Sequence, residues 1–242
     1  MSYASETKNE LARIEPEKEC CMLAEIAGFM RFAGSVGLAG GGKFRMVMTT
    51  PNLAVVRHYK TLIKKYFEVD TEIEVGHSEN FAKSLKGSKA NEYIIRIGPE
   101  NNSEMILREM GILMVRGGLN TLSDGIYDVL VRTKCCRKAY LRGAFLGAGT
   151  VNNPENSYHF EIGTTSEVKA KDLRRLMNTL VDINSKIVER KSGYGVYLKA
   201  REQIADVLAI MGASQQYFNY QDAIIRKDSV SNARQIEQLD LV

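Results

Sequence analysis

Two stretches mix small and large apolar residues in the same order: Ile26-Ala-Gly-Phe-Met-Arg-Phe-Ala-Gly-Ser-Val36 and Leu141-Arg-Gly-Ala-Phe-Leu-Gly-Ala-Gly-Thr-Val151. Both read as short, tightly packed helices. Glycine in a helix interior costs roughly 0.5–1 kcal/mol relative to alanine, a cost a helix bears when another backbone must come very close. Gly28 and Gly143, Gly34 and Gly149, and Val36 and Val151 are each 115 positions apart. Two copies at one offset predict a duplicated unit. Its halves are expected to meet through Gly28, Ala33 and Gly34 on one side and Gly143, Ala148 and Gly149 on the other.

The pattern between the copies repeats as well. Residues 3–15 form a charged amphipathic segment ended by Pro16, and 17–33 the first small-residue helix. The glycines at 40–42 make a turn. Over 43–49, Phe44, Met46 and Met48 alternate with Lys43, Arg45, Val47 and Thr49, the pattern of a half-buried strand. Thr50-Pro51 is expected to open a helix whose apolar face is Val56, Tyr59, Leu62, Ile63 and Tyr66. Strands follow at 71–76 and 92–97, separated by a polar loop over 77–91, then a helix at 103–110 ended by Gly111. In the second half a strand at 158–163 turns Tyr158, Phe160 and Ile162 inward, and Thr164 with Glu167 has the capping-box spacing. Here the offset is 114, which keeps the inward residues in phase. Strands at 186–191 and 194–199 and a helix at 201–211 complete a second αββαββα unit. The expected division is repeat one with its leading helix over 1–111, a connection over 112–134, repeat two over 135–220, and the start of a linker over 221–242.

Composition changes this picture little. With 242 residues, 44% hydrophobic and 26% charged, the chain can bury a real core. A net charge of +4 permits nucleic-acid contact without demanding it. No apolar run approaches membrane-spanning length and the N-terminus is charged, so no membrane partner is expected. Cys20, Cys21, Cys135 and Cys136 form adjacent pairs, again 115 apart, unlike the C-x₂-C spacing of zinc ribbons. They are read as reduced, mostly buried small residues in a cytoplasmic protein, and no metal or cofactor is expected. His58 and His77 are read as surface residues, and Asn152, Asn153 and Pro154 as a turn. No phosphate-binding loop or nucleophile–base motif is present.

The duplicated αββαββα pattern with its paired small-residue helices resembles the LAGLIDADG homing endonuclease fold, an α+β architecture with a pseudo-two-fold axis. In that family the last acid of each motif holds the catalytic metal. Those positions here are Ala33 and Ala148, so the resemblance implies a protein without catalytic residues. Glu25 lies about two turns earlier, at the wrong end of its helix for that role. The stretches MSYASETKNELARIEPEKECCMLAE, CCRKAYLRGAFLGAGTVNNPENSYHFEI and RKSGYGVYLKAREQIADVLAIMGAS resemble the WhiA family of bacterial transcription regulators over nearly the whole chain. That family joins a degenerate LAGLIDADG domain to a C-terminal helix-turn-helix and is associated with sporulation, cell division and chromosome segregation. No helix-turn-helix pattern follows Gly212, so DNA is expected as a partner mainly through a module absent here, with a protein partner also open and a nucleoid-associated location.

In the fold so implied, the strand faces opposite the apolar rows would face DNA. They offer Lys43, Arg45 and Arg96 in repeat one and Arg190 and Lys199 in repeat two. Glu72, Glu74, His159 and Glu161 are expected on the same faces, and carboxylates repel phosphate. A solvated charged face, weak DNA contact and a protein- or ligand-binding surface all stay open. So does an RNA-binding, maturase-like role.

Overall fold

The computed structural model describes residues 2–77, 91–180 and 183–239. Each repeat has the expected order. In the first, helix α2 (Glu19–Ala33) leads into strands β1 (Gly34–Leu38) and β2 (Phe44–Thr50) and helix α3 (Leu53–Phe67). Strands β3 (Ile73–His77) and β4 (Asn91–Ile97) and helix α4 (Ser103–Glu109) complete it. In the second, α5 (Lys134–Ala148) leads into β7 (Gly149–Val151), β8 (Phe160–Thr164) and α6 (Glu167–Asn178), then β9 (Lys186–Arg190), β10 (Gly193–Leu198) and α7 (Arg201–Met211). Both sheets are antiparallel and share one topology, β1-β2-β4-β3 and β7-β8-β10-β9.

The repeats meet through α2 and α5, and the contact is reciprocal. A Cβ built on Gly28 would lie 2.3 Å from the carbonyl oxygen of Tyr140. One built on Gly143 would lie 2.1 Å from that of Glu25, and Glu25 and Tyr140 are themselves 115 apart. Gly147 faces Ala33 in the same way, 3.1 Å from its methyl. Gly34 and Gly149 do a different job from the one expected. They stand in extended backbone at the helix ends and start β1 and β7, and an added Cβ would strike Met30 and Phe145 of their own helices. The strands begin there, so neither small-residue helix runs on to Val36 or Val151.

Beneath each sheet the strand alternation fills one core. Met46, Met48, Ile95 and Ile97 are buried in repeat one, and Phe160, Ile162, Val196 and Leu198 in repeat two. Phe29 stacks on Tyr59 with ring centroids 3.8 Å apart. Within this apolar setting lies a charged network. Glu25 of α2 is fully buried. Its Oε2 accepts hydrogen bonds from Arg142 Nε and Nη2 of α5, at 2.9 and 2.6 Å. Its Oε1 is 2.8 Å from His58 Nε2 of α3, and Arg142 Nη1 donates to the Met211 carbonyl at the end of α7. Three helices meet at this carboxylate, and Arg142 ties in a fourth. His58 is therefore a buried residue rather than a surface one, because it carries one of that carboxylate's hydrogen bonds.

Several local expectations shift. Thr50 stays in the sheet, paired with Tyr93, and Asn52 caps α3 by accepting from the N–H groups of Ala54 and Val55. Thr164 likewise pairs with Tyr194, and Ser166 caps α6. The leading helix α1 is Tyr3–Leu11. The connection holds a hairpin, β5 (Leu113–Arg116) and β6 (Leu119–Leu122), whose Gly117-Gly118 turn has positive φ at both residues. Arg31 of α2 anchors it by donating to the carbonyls of Gly111 and Ser123. The expected boundary at 220/221 falls inside one continuous helix, α8 (Ser214–Leu239), since Tyr220 and Ala223 are buried on either side of it. Glu10 of α1 accepts from the N–H groups of Gln215 and Gln216 in the first turn of α8. Most of the polar loop expected over 77–91 lies outside the described residues.

Two outcomes follow for stability. Gly143→Ala forces backbones apart and should lower unfolding free energy by about 2–3 kcal/mol in urea titrations, whereas Gly163→Ala, which meets nothing within 4 Å, should stay within about 0.5 kcal/mol. Equal effects would refute the close-contact account. Arg142→Met leaves a buried carboxylate short of its partner and should cost about 3–5 kcal/mol. The double variant Glu25→Gln/Arg142→Met should regain much of that loss; a purely additive double variant would contradict the pairing.

Candidate nucleic-acid interface

Strands β1 and β7 leave directly from the C-terminal ends of α2 and α5, so both sheets begin at the helix pair and spread outward to β3 and β9. Each sheet has one buried face, and the register fixes what lies on the other. In repeat one that face carries Arg45 and Val47 of β2, Arg96 of β4, directly opposite Val47, and Glu74 of β3. In repeat two Glu161, Tyr197 and Lys186 lie side by side across β8, β10 and β9, with Arg190 further along β9.

The five expected basic residues are not equivalent. Arg45 is exposed and makes no hydrogen bond or ion pair among the described residues. Lys43 sits in the β1–β2 turn, ahead of the strand, with its backbone N–H on the Gly40 carbonyl. Lys199 lies just past β10 with its ammonium 5.6 Å from the Tyr197 ring centroid. Arg96 is bound to Glu74, with Nε 2.9 and 3.1 Å from its two oxygens. Arg190 forms a bidentate pair with Glu161. The structure adds Lys186, exposed on the same face. Its position four before Arg190 on an alternating strand was the available signal.

At the C-terminal ends of α2 and α5 lies a cleft of about 360 Å³ lined by residues of both repeats, among them Arg31, Gly34, Ala148, Glu161 and Arg190. Ala148 borders it, and Ala33 packs against Gly147. Glu161 is the carboxylate of this lining, and its oxygens are taken. Arg190 Nη2 lies 2.6 Å from Oε2, Nη1 contacts Oε1, and His159 Nε2 is 2.9 Å from Oε2. Burial pushes its pKa up, but the hydrogen bonds from Arg190 and His159 outweigh that and hold it below the usual carboxylate range. A hard divalent cation needs several oxygen ligands. Two methyl groups and one fully engaged carboxylate do not supply such a ligand set.

The comparisons agree with this fold. The family profile described as the WhiA N-terminal LAGLIDADG-like domain matches residues 19–113, and that of the WhiA LAGLIDADG-like domain matches 137–229. The chain is 37% identical over 236 residues to a protein of Alkaliphilus metalliredigens named probable cell division protein WhiA, covering 98% of this chain and 72% of that one. It belongs to the WhiA family. A protein of Desulforamulus reducens with the same name is 41% identical over 227 residues, covering 94% of this chain and 68% of its own. In three dimensions the chain is similar to full-length WhiA from Thermatoga maritima, with TM-score 0.69, 18% identity, and 99% of this chain and 74% of that one covered. It also shares its fold with the endonuclease I-DmoI, solved in complex with DNA and Mn, at TM-score 0.53, 14% identity, and 81% and 98% coverage. The fold is thus α+β and LAGLIDADG-like, with one family profile matching each repeat. Among the described residues, no helix is long and apolar enough to cross a membrane.

The Glu161 cluster gives a pH-dependent outcome. A depressed carboxylate pKa contributes stability that is present above the unfolded-state value and lost as pH falls through the folded-state value. Arg190→Gln should raise the pH at which Glu161 titrates, followed by its carboxylate carbon resonance, and should shrink that contribution. An unchanged titration midpoint would show that the ion pair does not set the ionisation of Glu161.

Proposed function

We propose that this chain is a non-catalytic domain of a DNA-binding WhiA-family regulator with a role in cell division. Sporulation control and chromosome segregation, the associations of the family, extend the same reading. The observation that carries it is the state of the cleft. The helix pair that presents metal ligands in nucleases of this fold is kept, while Ala33 and Ala148 stand at the acid positions and Glu161 is bound to Arg190 and His159. The scaffold remains and the means of cleaving a phosphodiester does not. DNA contact would then come from Arg45, Lys43, Lys186 and Lys199, whose charges no carboxylate neutralises among the described residues, more than from Arg96 and Arg190. Such contacts bind phosphates without reading sequence, and a nucleoid-associated location follows from them.

A second reading, a surface for a protein partner, draws on the hairpin β5–β6. Val115, Leu119 and Leu122 are all exposed there and lie on one short hairpin.

The two readings part on a salt titration of binding to duplex DNA. Phosphate contacts make affinity fall with salt, by a slope of about 0.9 per contact. Binding with a slope of about 3–4 is expected, reduced by about 2 in Arg45→Gln/Lys199→Gln and less in Arg96→Gln. Salt-independent binding, or none, would favour the protein-partner surface. Mg²⁺- or Mn²⁺-dependent cleavage by the purified chain would overturn the non-catalytic assignment.

A further inference from the structure

The four cysteines converge at the end of the helix pair opposite the cleft. Cys20 and Cys21 lie in the first turn of α2, and Cys135 and Cys136 in the first turn of α5. Their four sulfurs all lie within 4.8 Å of one another, with Cys21 Sγ and Cys136 Sγ 4.0 Å apart. All four are free thiols. The pairs come from opposite repeats, so the pseudo-two-fold relation of α2 and α5 brings them to one place. Adjacent pairs fail the linear spacing of a zinc motif, but a metal responds to where sulfurs meet in space.

Four thiolates around Zn²⁺ at about 2.3 Å stand about 3.8 Å from one another at the corners of a tetrahedron. Closing the observed spacings, at most 4.8 Å, to that arrangement takes side-chain movements of up to about 1 Å between a pair of sulfurs. Zinc suits it better than harder cations, since thiolate sets favour soft or borderline metals. Cys21 and Cys136 are buried and Cys135 half-buried, whereas Cys20 is exposed and gives a metal a route in. The Thr133 hydroxyl, 3.2 Å from Cys135 Sγ, supplies an outer hydrogen bond of the kind that orients metal ligands.

We propose that Cys20, Cys21, Cys135 and Cys136 form a structural zinc site that staples the N-terminal ends of α2 and α5 across the repeat interface. Binding exchanges four S–H protons, released to solvent, for four Zn–S bonds, with no change of oxidation state. The site closes one end of the contact whose middle is held by Gly28 and Gly143.

The test uses the whole chain purified under reducing conditions without added metal. Elemental analysis should find about one zinc per chain. The four thiols should resist a thiol-reactive dye until a chelator is added, and Co²⁺ replacing the zinc should give the intense thiolate-to-metal absorption of a tetrahedral sulfur site. Cys20→Ser, at an exposed position that the fold tolerates, should lower zinc affinity at least 10-fold, and Cys20→Ser/Cys135→Ser should abolish stoichiometric binding while the far-ultraviolet circular dichroism is kept. Metal-free protein whose thiols all react at once and whose Co²⁺ spectrum lacks that absorption would overturn the proposal. So would a Cys21–Cys136 disulfide in place of the metal, or zinc retained undiminished by the double variant.

Discussion

Two glycines on facing helices set the terms for the rest of this structure. Gly28 and Gly143 let α2 and α5 approach until backbone meets backbone, each leaving open the space that a carbonyl of the other helix fills. Every other feature of the repeat pair is placed by that contact. It fixes where β1 and β7 begin, how far apart the two sheets stand, and which side chains from opposite repeats can touch. It also puts the Glu25 carboxylate of one helix within reach of Arg142 on the other. Burying that charge would cost several kcal/mol unless it were paired and hydrogen-bonded. Once His58 and the Met211 carbonyl join the network, the pairing specifies the angle and register at which α2, α3, α5 and α7 meet.

The two ends of the helix pair have diverged in chemistry. At the C-terminal ends, methyl groups stand where a metal-binding acid would complete a nuclease site, and Glu161 is locked to Arg190 and His159. At the N-terminal ends, four cysteine sulfurs gather where the pattern alone suggested packing residues. A scaffold that presents hard oxygen ligands in one setting thus presents soft sulfur ligands at its other pole. The proposed DNA contact would rest on the sheet-face cations that have no carboxylate partner among the described residues, and not on either pole.

Much of the fold was legible in the chain because duplication leaves a numerical trace. The offset of 115 through the helices and 114 through the strands identified both repeats and the inward strand residues. Partners were harder to see. His58 sits at helical spacing from Val55 and Leu62, so its place on the apolar face was readable, but the carboxylate it serves lies 33 residues away. Caps shifted from Thr50 and Thr164 to Asn52 and Ser166 because the sheet ladders extend through both threonines, a tertiary choice that local motif chemistry does not contain. The hairpin at 113–122 was marked by Gly117-Gly118 and passed over as a connection. For the site, Arg96 and Arg190 and the carboxylates Glu74 and Glu161 were all placed on these faces, but their pairing was not visible: Glu74 is on a neighbouring strand and Glu161 is 29 residues from Arg190.

If the helix contact governs the whole, the repeats cannot open separately. Native-state hydrogen exchange of backbone amides measures this directly, because it reports the free energy at which each element opens. The amides of α2 and α5 around Gly28 and Gly143 should exchange only through global unfolding. They should share one free energy, and the central strands β2, β4, β8 and β10 should join the same class. Exchange in which one repeat opens at markedly lower free energy while the helix of the other remains protected would contradict the account.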